Sequence, residues 1–311
     1  MSIKNSMKHI WLLICILNIV FNSYSQQDSQ YTQYMYNTQV INPAYVGSRE
    51  MLSINALHRS QWIGLDGAPK TYSLSANFPL GDRGIGMGLS FIRDEIGPST
   101  ENNISVDLSY TIPVSEYSKL SFGLKGGFNM LNIDFSKLTI EQINDPDFRN
   151  NINNKTSPMV GVGFYWHNEN NWYIGLSTPN LLQTKHYENN KVSNVTEQIH
   201  VYLIGGYVFD LSEMVEFKPA FLAKAVVGAP LSIDVSANFR FNEKFTLGAA
   251  YRLDASISGL MALQASDKIM VGYAYDYDTT ELGDYNSGSH EIFLRFELFT
   301  KVRSTVCPRF F

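Results

Sequence analysis

The chain is poor in cysteine: Cys15 lies in an apolar leader and only Cys307 follows it. An internal disulfide framework is therefore excluded for the processed chain, while a bond between two chains stays open. Long apolar runs are also missing. The longest, residues 10–21, is about a dozen residues, short of the roughly 20 that a membrane-spanning helix needs. No linker, low-complexity block, heptad pattern or amphipathic helix divides the sequence, which favours one continuous β unit. Basic charge is scarce as well. With 24 Lys and Arg against 29 Asp and Glu, nucleic acid is not an expected partner.

What is present at the start is an export signal. Lys4 and Lys8 precede the apolar residues 10–21, and Ser23-Tyr24-Ser25 offers small residues for cleavage after Ser25. Further apolar residues follow Cys15, so it does not sit in a lipoprotein cleavage box, and no lipid anchor is expected. Removing residues 1–25 takes away two Lys and no acidic residue, leaving 22 basic against 29 acidic, net −7.

The remainder alternates. Ile104, Val106, Leu108, Tyr110 and Ile112 are interleaved with Ser105, Asp107, Ser109 and Thr111, and Tyr72, Leu74, Ala76 and Phe78 with Ser73, Ser75 and Asn77. Residues 231–241 and 291–298 repeat the pattern. A period of two gives each strand one apolar and one wet face. Fourteen such strands are predicted, and for the first eight the connections alternate long and short. Long stretches are expected at 58–69, 93–101, 134–156, 180–196 and 278–288, and tight turns at 80–83, 115–118, 168–170 and 210–213. Outer-membrane barrels have long outward loops, short periplasmic turns and, in bacterial single chains, an even strand number. The predicted fold is thus an all-β, antiparallel transmembrane barrel of about fourteen strands in the outer membrane, with both termini periplasmic. Its expected divisions are a signal peptide (1–25), a plug or lead-in segment (26–48), the barrel (49–299) and a periplasmic tail (300–311). A soluble sandwich also alternates, but the export signal, strands near the 9–11 residues that cross a bilayer and abundant Tyr and Phe for interfacial girdles weigh against it.

Several charged residues fall on wet faces. Asp107, Asp234, Arg240, Arg252, Arg295 and Glu297 are candidates for ion pairs within the lumen. Gly84-Ile85-Gly86-Met87-Gly88 continues as a strand, whereas a dinucleotide fingerprint must open a helix, so these glycines are strand packing positions. Asp276, Asp278, Glu281 and Asp284 form an acidic run that matches no defined calcium loop and is weighed chiefly as a solvated loop. Neither a metal nor a cofactor is expected. His58 and His290, with Glu291, are the best catalytic candidates, yet no Ser, His and Asp share a depth in the barrel, so no enzymatic role is expected.

Five segments carry a more specific signal. Residues 30–37 read Gln-Tyr-Thr-Gln-Tyr-Met-Tyr-Asn and lead to Ile41-Asn42-Pro43-Ala44-Tyr45-Val46-Gly47-Ser48. Arg59-Ser60-Gln61-Trp62 with Gly67-Ala68-Pro69-Lys70-Thr71 follows, then Arg93-Asp94-Glu95-Ile96-Gly97-Pro98 and the closing Ser289-His290-Glu291-Ile292. In this order and spacing the chain resembles the PorP/SprF family of type IX secretion and gliding-motility membrane proteins. The Cys307-Pro308 and aromatic ending is also similar to that of family members. The resemblance implies a barrel beside the translocon. It would either link to the periplasmic motor, as PorP-like members do, or support export or surface anchoring of a large adhesin through its C-terminal domain, as SprF-like members do. The second role is favoured. A passive transporter of a small solute is the alternative.

Candidate residues follow from these segments. Arg59, Gln61, Trp62, Gly67, Pro69, Asp94, Gly97 and Pro98 are expected in outward connections as partner-binding positions, Trp and Arg being common interface anchors and Gly and Pro shaping turns. An aromatic girdle residue and a loop-packing arginine are the plainer reading. Tyr31, Gln33, Tyr34, Tyr36, Asn37, Asn42 and Pro43, aromatic and amide-rich with few charges nearby, are candidates for a lumen plug or for a lead-in that seals the barrel base.

Overall fold

The computed structural model describes residues 30–81, 83–138, 151–168, 171–182 and 198–298. The signal and the tail expected at the two ends lie outside them. Fifteen strand segments are present: β1 (Leu52–Ser60), β2 (Lys70–Pro79), β3 (Ile85–Ile96), β4 (Ser99–Pro113), β5 (Ser118–Ile133), β6 (Ile152–Asn168), β7 (Trp172–Thr178) and β8 (His200–Tyr207) form the first part. β9 (Phe209–Ser212), β10 (Val215–Val226), β11 (Ser232–Phe241), β12 (Phe245–Arg252), β13 (Ser256–Ser266), β14 (Ile269–Asp278) and β15 (Ser289–Leu298) complete it. β8 and β9 lie end to end along β10 in one register, interrupted at Val208, whose N–H bonds the Asn171 carbonyl beside the start of β7 at 2.6 Å. Counted as one strand they make a fourteen-stranded antiparallel barrel, closed by β1 against β15.

The period of two becomes an inside and an outside. Leu74, Leu89, Ile104, Leu108, Leu124, Leu263 and Leu294 are exposed on the outer face, while Ser53, Thr71, Ser75, Asn77, Ser105 and Asp107 are buried within. This inversion of the soluble pattern is what lipid as the outer solvent demands. Exposed Tyr72, Tyr251 and Tyr277 mark one rim of the apolar band, and Tyr110, Tyr117, Tyr207 and Phe209 the other. Such rings suit the water–lipid interface, where an apolar body and a polar tip are both accommodated.

The two ends differ as expected, with one correction. Residues 80–81, 83–84, 114–117, 171, 213–214, 242–244 and 267–268 lie at one end, where β1 also begins and β15 stops. Residues 61–69 and 279–288 and the described residues 134–138, 151, 179–182 and 198–199 lie at the other, together with 97–98, 227–231 and 253–255. The stretch 93–101 is not a long connection. β3 and β4 pair through it, Arg93 opposite Asn102 and Ile96 opposite Ser99, because Gly97 at φ +54° and Pro98 close the hairpin in two residues. Beyond the long-connection rim β5 and β6 continue and bury Leu131, Ile133 and Phe135 against Ile152.

Candidate functional site

A fourteen-stranded barrel is too wide for its own side chains to fill, a task that about eight strands achieve. Here the chain fills it with residues 30–50. These residues contact inward-facing side chains of strands around the whole circumference and bury Tyr34, Tyr36, Gln33, Gln39, Asn42, Ala44 and Val46. Extended chain inside a barrel needs partners for its N–H and C=O groups. The segment meets that need by coiling into consecutive turns, with Tyr36 N–H bonded to Gln33 O, Asn42 N–H to Thr38 O and Ser48 N–H to Tyr45 O.

Its upstream end is held by charge. The Glu291 carboxylate on β15 accepts from the Thr32 amide at 3.0 Å and the Gln33 amide at 2.8 Å, and from Arg59 Nη1 on β1 at 3.1 Å. Arg59 also meets Asp276 of β14 at 2.7 Å, and the Thr32 hydroxyl donates to Asp276 at 2.6 Å. Each charge is buried and paired, the condition under which burial is tolerated. Arg59 is therefore not the outward-connection residue expected of it. β1 runs three residues further than its apolar pattern indicates, and the pleat turns position 59 inward, 2 % exposed. Asp276 is likewise a lumen residue of β14 and not part of an acidic loop.

Halfway down, amides take over. Asn37 donates to Ser73 Oγ and accepts from Ser75 Oγ. Gln39 donates to Asp107 at 3.1 Å and accepts from Asn77 at 3.1 Å. Below it Asn42 caps the turn Pro43–Tyr45 by accepting from Ala44 N–H, and its amide donates to Phe164 O. This turn is pressed against bare backbone: a Cβ at Gly123 would overlap the Ala44 amide, and one at Gly163 the Asn42 side chain. Gly86 and Gly88 leave space in the same way for Val46 and Gln39. At the exit Ser109 bonds Val46 O, Arg49 pairs with Glu297 at 2.6 Å, and Glu50 with Lys119 at 2.8 Å. Tyr36 stacks on Phe293 with centroids 4.6 Å apart, and Tyr45 meets Tyr165 edge-on. Tyr31 is buried at the upstream end beside Tyr202 and Leu222.

The six charged lumen candidates do not form one ladder. Asp234 pairs with Arg252 at 2.7 Å and Arg295 meets Glu297 at 3.4 Å, while Asp107 pairs with Lys125 and Arg240 with Glu216. Lys125, Glu216, Arg49, Asp276 and Glu291 were missed as pair partners. A register signal was available for most: Asp107 with Lys125, Glu216 with Arg240, Asp234 with Arg252 and Arg59 with Glu291 stand directly opposite on neighbouring strands.

At the long-connection rim, Gln61 and Trp62 are half-buried, Gly67 and Gly97 exposed, Pro69 buried and Pro98 half-buried. Asp94 sits inside β3 and accepts from the Thr71 hydroxyl at 2.5 Å. Backbone bonds from Gly97 to Gly67, Ile63 to Gly288 and Ser287 to Ile63 join three connections into one surface, on which Ile63 and Tyr285 are exposed.

The sequence signature now has a structural counterpart in the filled lumen and the stitched rim. The family model described as "Type IX secretion system membrane protein PorP/SprF" matches residues 23–296. The chain belongs to the PorP/SprF family. No curated protein matches it. Among solved structures it is similar to the CymD monoaromatic hydrocarbon channel, with TM-score 0.50 and 12% identity over 86% of this chain and 93% of that one. The outer membrane protein Omp33 of Acinetobacter baumannii aligns with TM-score 0.49 and 8% identity, over 80% of this chain and 98% of that one. The KdgM porin gives TM-score 0.37 and 9% identity, over 79% and 99%. At 12% identity the likeness to CymD is one of fold.

Family and fold are thus those of an outer-membrane barrel and not of an enzyme. The catalytic candidates part company in this PorP/SprF member: His58 Nε2 lies 3.0 Å from Ser60 Oγ on the outer face and His290 bonds the Tyr273 hydroxyl, but Glu291 points into the lumen. Among the described residues no three His, Cys, Asp or Glu side chains group as metal ligands.

Proposed function

We propose that this PorP/SprF protein acts in type IX secretion by binding protein partners and not by conducting solute. One observation carries the reading: residues 30–50 occupy the lumen from the Arg59 end to the Glu297 end, bonded at every level. Fourteen strands at about 4.8 Å spacing, tilted about 40°, have a perimeter of about 88 Å and a backbone radius of about 14 Å. That interior would be a wide channel if empty. Filled by polar side chains matched to polar walls, it is a support for the surfaces at either end.

In this reading the short turns face the periplasm and the long connections face outward, following the habit of outer-membrane barrels. The stitched rim with Ile63, Trp62 and Tyr285 is the docking face for the C-terminal domain of a large secreted surface protein, the SprF-like role. The short-turn end, where β1 begins and β15 stops, is the side that meets translocon or periplasmic motor components, the PorP-like role. Aromatic residues in a fixed backbone frame suit protein docking, since little side-chain entropy is lost.

Two measurements test this together. Purified protein in planar bilayers should be electrically silent, and affinity capture from cross-linked cells should recover a large secreted protein or translocon components. Steady solute conductance with neither partner recovered would overturn the reading in favour of a passive transporter.

A further inference from the structure

The direction in which residues 30–50 run through the lumen has a topological consequence. All the barrel residues that meet the upstream end lie close to the long-connection rim. Arg59 is the penultimate residue of β1, Asp276 lies two from the end of β14, and Glu291 is the third residue of β15. Gln30 and Tyr31 share a pocket with Tyr202, Lys224, Asp234 and Arg252, again within three residues of that rim. All the residues that meet the downstream end lie at the opposite rim. Glu297 is the penultimate residue of β15 and Lys119 the second of β5, and Gly47 is packed on Gly86 near the start of β3. The plug descends from the long connections to the short turns, then reverses at Glu50, φ +56°, into β1.

We propose that the plug is threaded from the long-connection side, so that the amino end of the processed chain emerges on that side, across the membrane from the start of β1 and the end of β15. An even strand number fixes where the strands end but says nothing about a segment that crosses the lumen once more. The inference rests on cleavage after Ser25, which leaves four residues before Gln30. Four residues reach at most about 14 Å, whereas Glu291 and Glu297 alone stand about 20 Å apart along β15, and the lumen between them is occupied. Gln30, the first described residue, consequently opens towards the long-connection rim, and on that side the plug is held only by non-covalent contacts such as those to Glu291. From the other side it is held through the covalent link into β1.

Cysteine labelling of the full protein tests this. In a Cys307→Ser background, Gln30→Cys is compared with Asp284→Cys on the long-connection side and Asp267→Cys in a short turn, after heat-modifiable migration shows that each barrel is folded. With a membrane-impermeant maleimide on intact cells, Gln30→Cys should label in step with Asp284→Cys and apart from Asp267→Cys, each normalised to denatured protein. Labelling in step with Asp267→Cys would overturn the inference. If the whole barrel were inserted the other way, Asp284 and Asp267 would exchange behaviour, and Gln30 following Asp284 would still support the threading. The intact mass of the purified protein checks separately that the chain begins at Gln26.

Discussion

Replacing Glu291 by Ala removes the group that holds the plug's upstream end. The carboxylate accepts two buried backbone N–H groups, those of Thr32 and Gln33, and balances the Arg59 guanidinium at 3.1 Å. Leaving a buried donor without an acceptor costs about 1–3 kcal/mol, and stripping one partner from a buried ion pair costs about 3–5 kcal/mol. These overlap, because the same oxygens serve both, and Asp276 still holds Arg59 at 2.7 Å. A net loss of about 3–4 kcal/mol for the docked upstream end is the reasonable sum. At about 1.4 kcal/mol per factor of ten, its local opening should rise roughly 10²- to 10³-fold. Hydrogen exchange with mass readout of peptides spanning residues 30–37 measures it, peptides spanning residues 42–50 serving as an internal reference held by Arg49 and Ser109. The barrel itself should stay folded. Exchange unchanged near Thr32 in a folded Glu291→Ala barrel would show that aromatic packing, and not this carboxylate, seats the plug.

Gly123→Val places carbon where the Ala44 backbone lies, so the Pro43–Tyr45 turn should be expelled and the silent barrel should show discrete conductance steps in planar bilayers; continued silence with a folded barrel would mean that the wall yields instead. Gln39→Ala strips Asn77 and Asp107 of a shared buried partner and should cost about 1–3 kcal/mol, read as a lower temperature of the heat-modifiable transition. At the long-connection end, the Ser136 hydroxyl bond holds the Asp134 carboxyl below its ordinary range. This stabilisation of the Phe135–Lys137 turn is complete above the unfolded carboxylate pKa of about 3.9 and is lost as pH falls through the lower folded value. Protection of the Ser136 amide, taken relative to its intrinsic exchange at each pH, should fall over that interval and stay flat in Asp134→Asn; the same profile in the variant would exclude Asp134 as its source.

Much of the architecture was legible because lipid outside and polar chain inside make the period of two unambiguous, as at residues 104–112. Strand ends were less so. Beyond the membrane the outer face has no reason to be apolar, so the ladder through Arg93, Asp94 and Glu95 looked like a loop. Arg59 was misplaced for the same reason: the apolar alternation of β1 fades before the strand does. The charged pairs were visible as residues but not as partners, since pairing is fixed by hairpin register, as for Asp107 opposite Lys125. The glycines at 86, 88, 123 and 163 have meaning only once the plug is seated against them.

Arg59 and Glu291 have one more property: they face each other across the seam where the first strand meets the last. The amides of Thr32 and Gln33 bind to one half of that seam while the guanidinium of the other half binds the Thr32 hydroxyl. The seam therefore has two fastenings: the direct Arg59–Glu291 pair at 3.1 Å, which needs no plug, and the bonds to Thr32 and Gln33, which only an occupied lumen supplies. A barrel closed without its plug would keep the bridge across its seam but leave the Glu291 carboxylate without its two amide donors and Arg59 without the Thr32 hydroxyl.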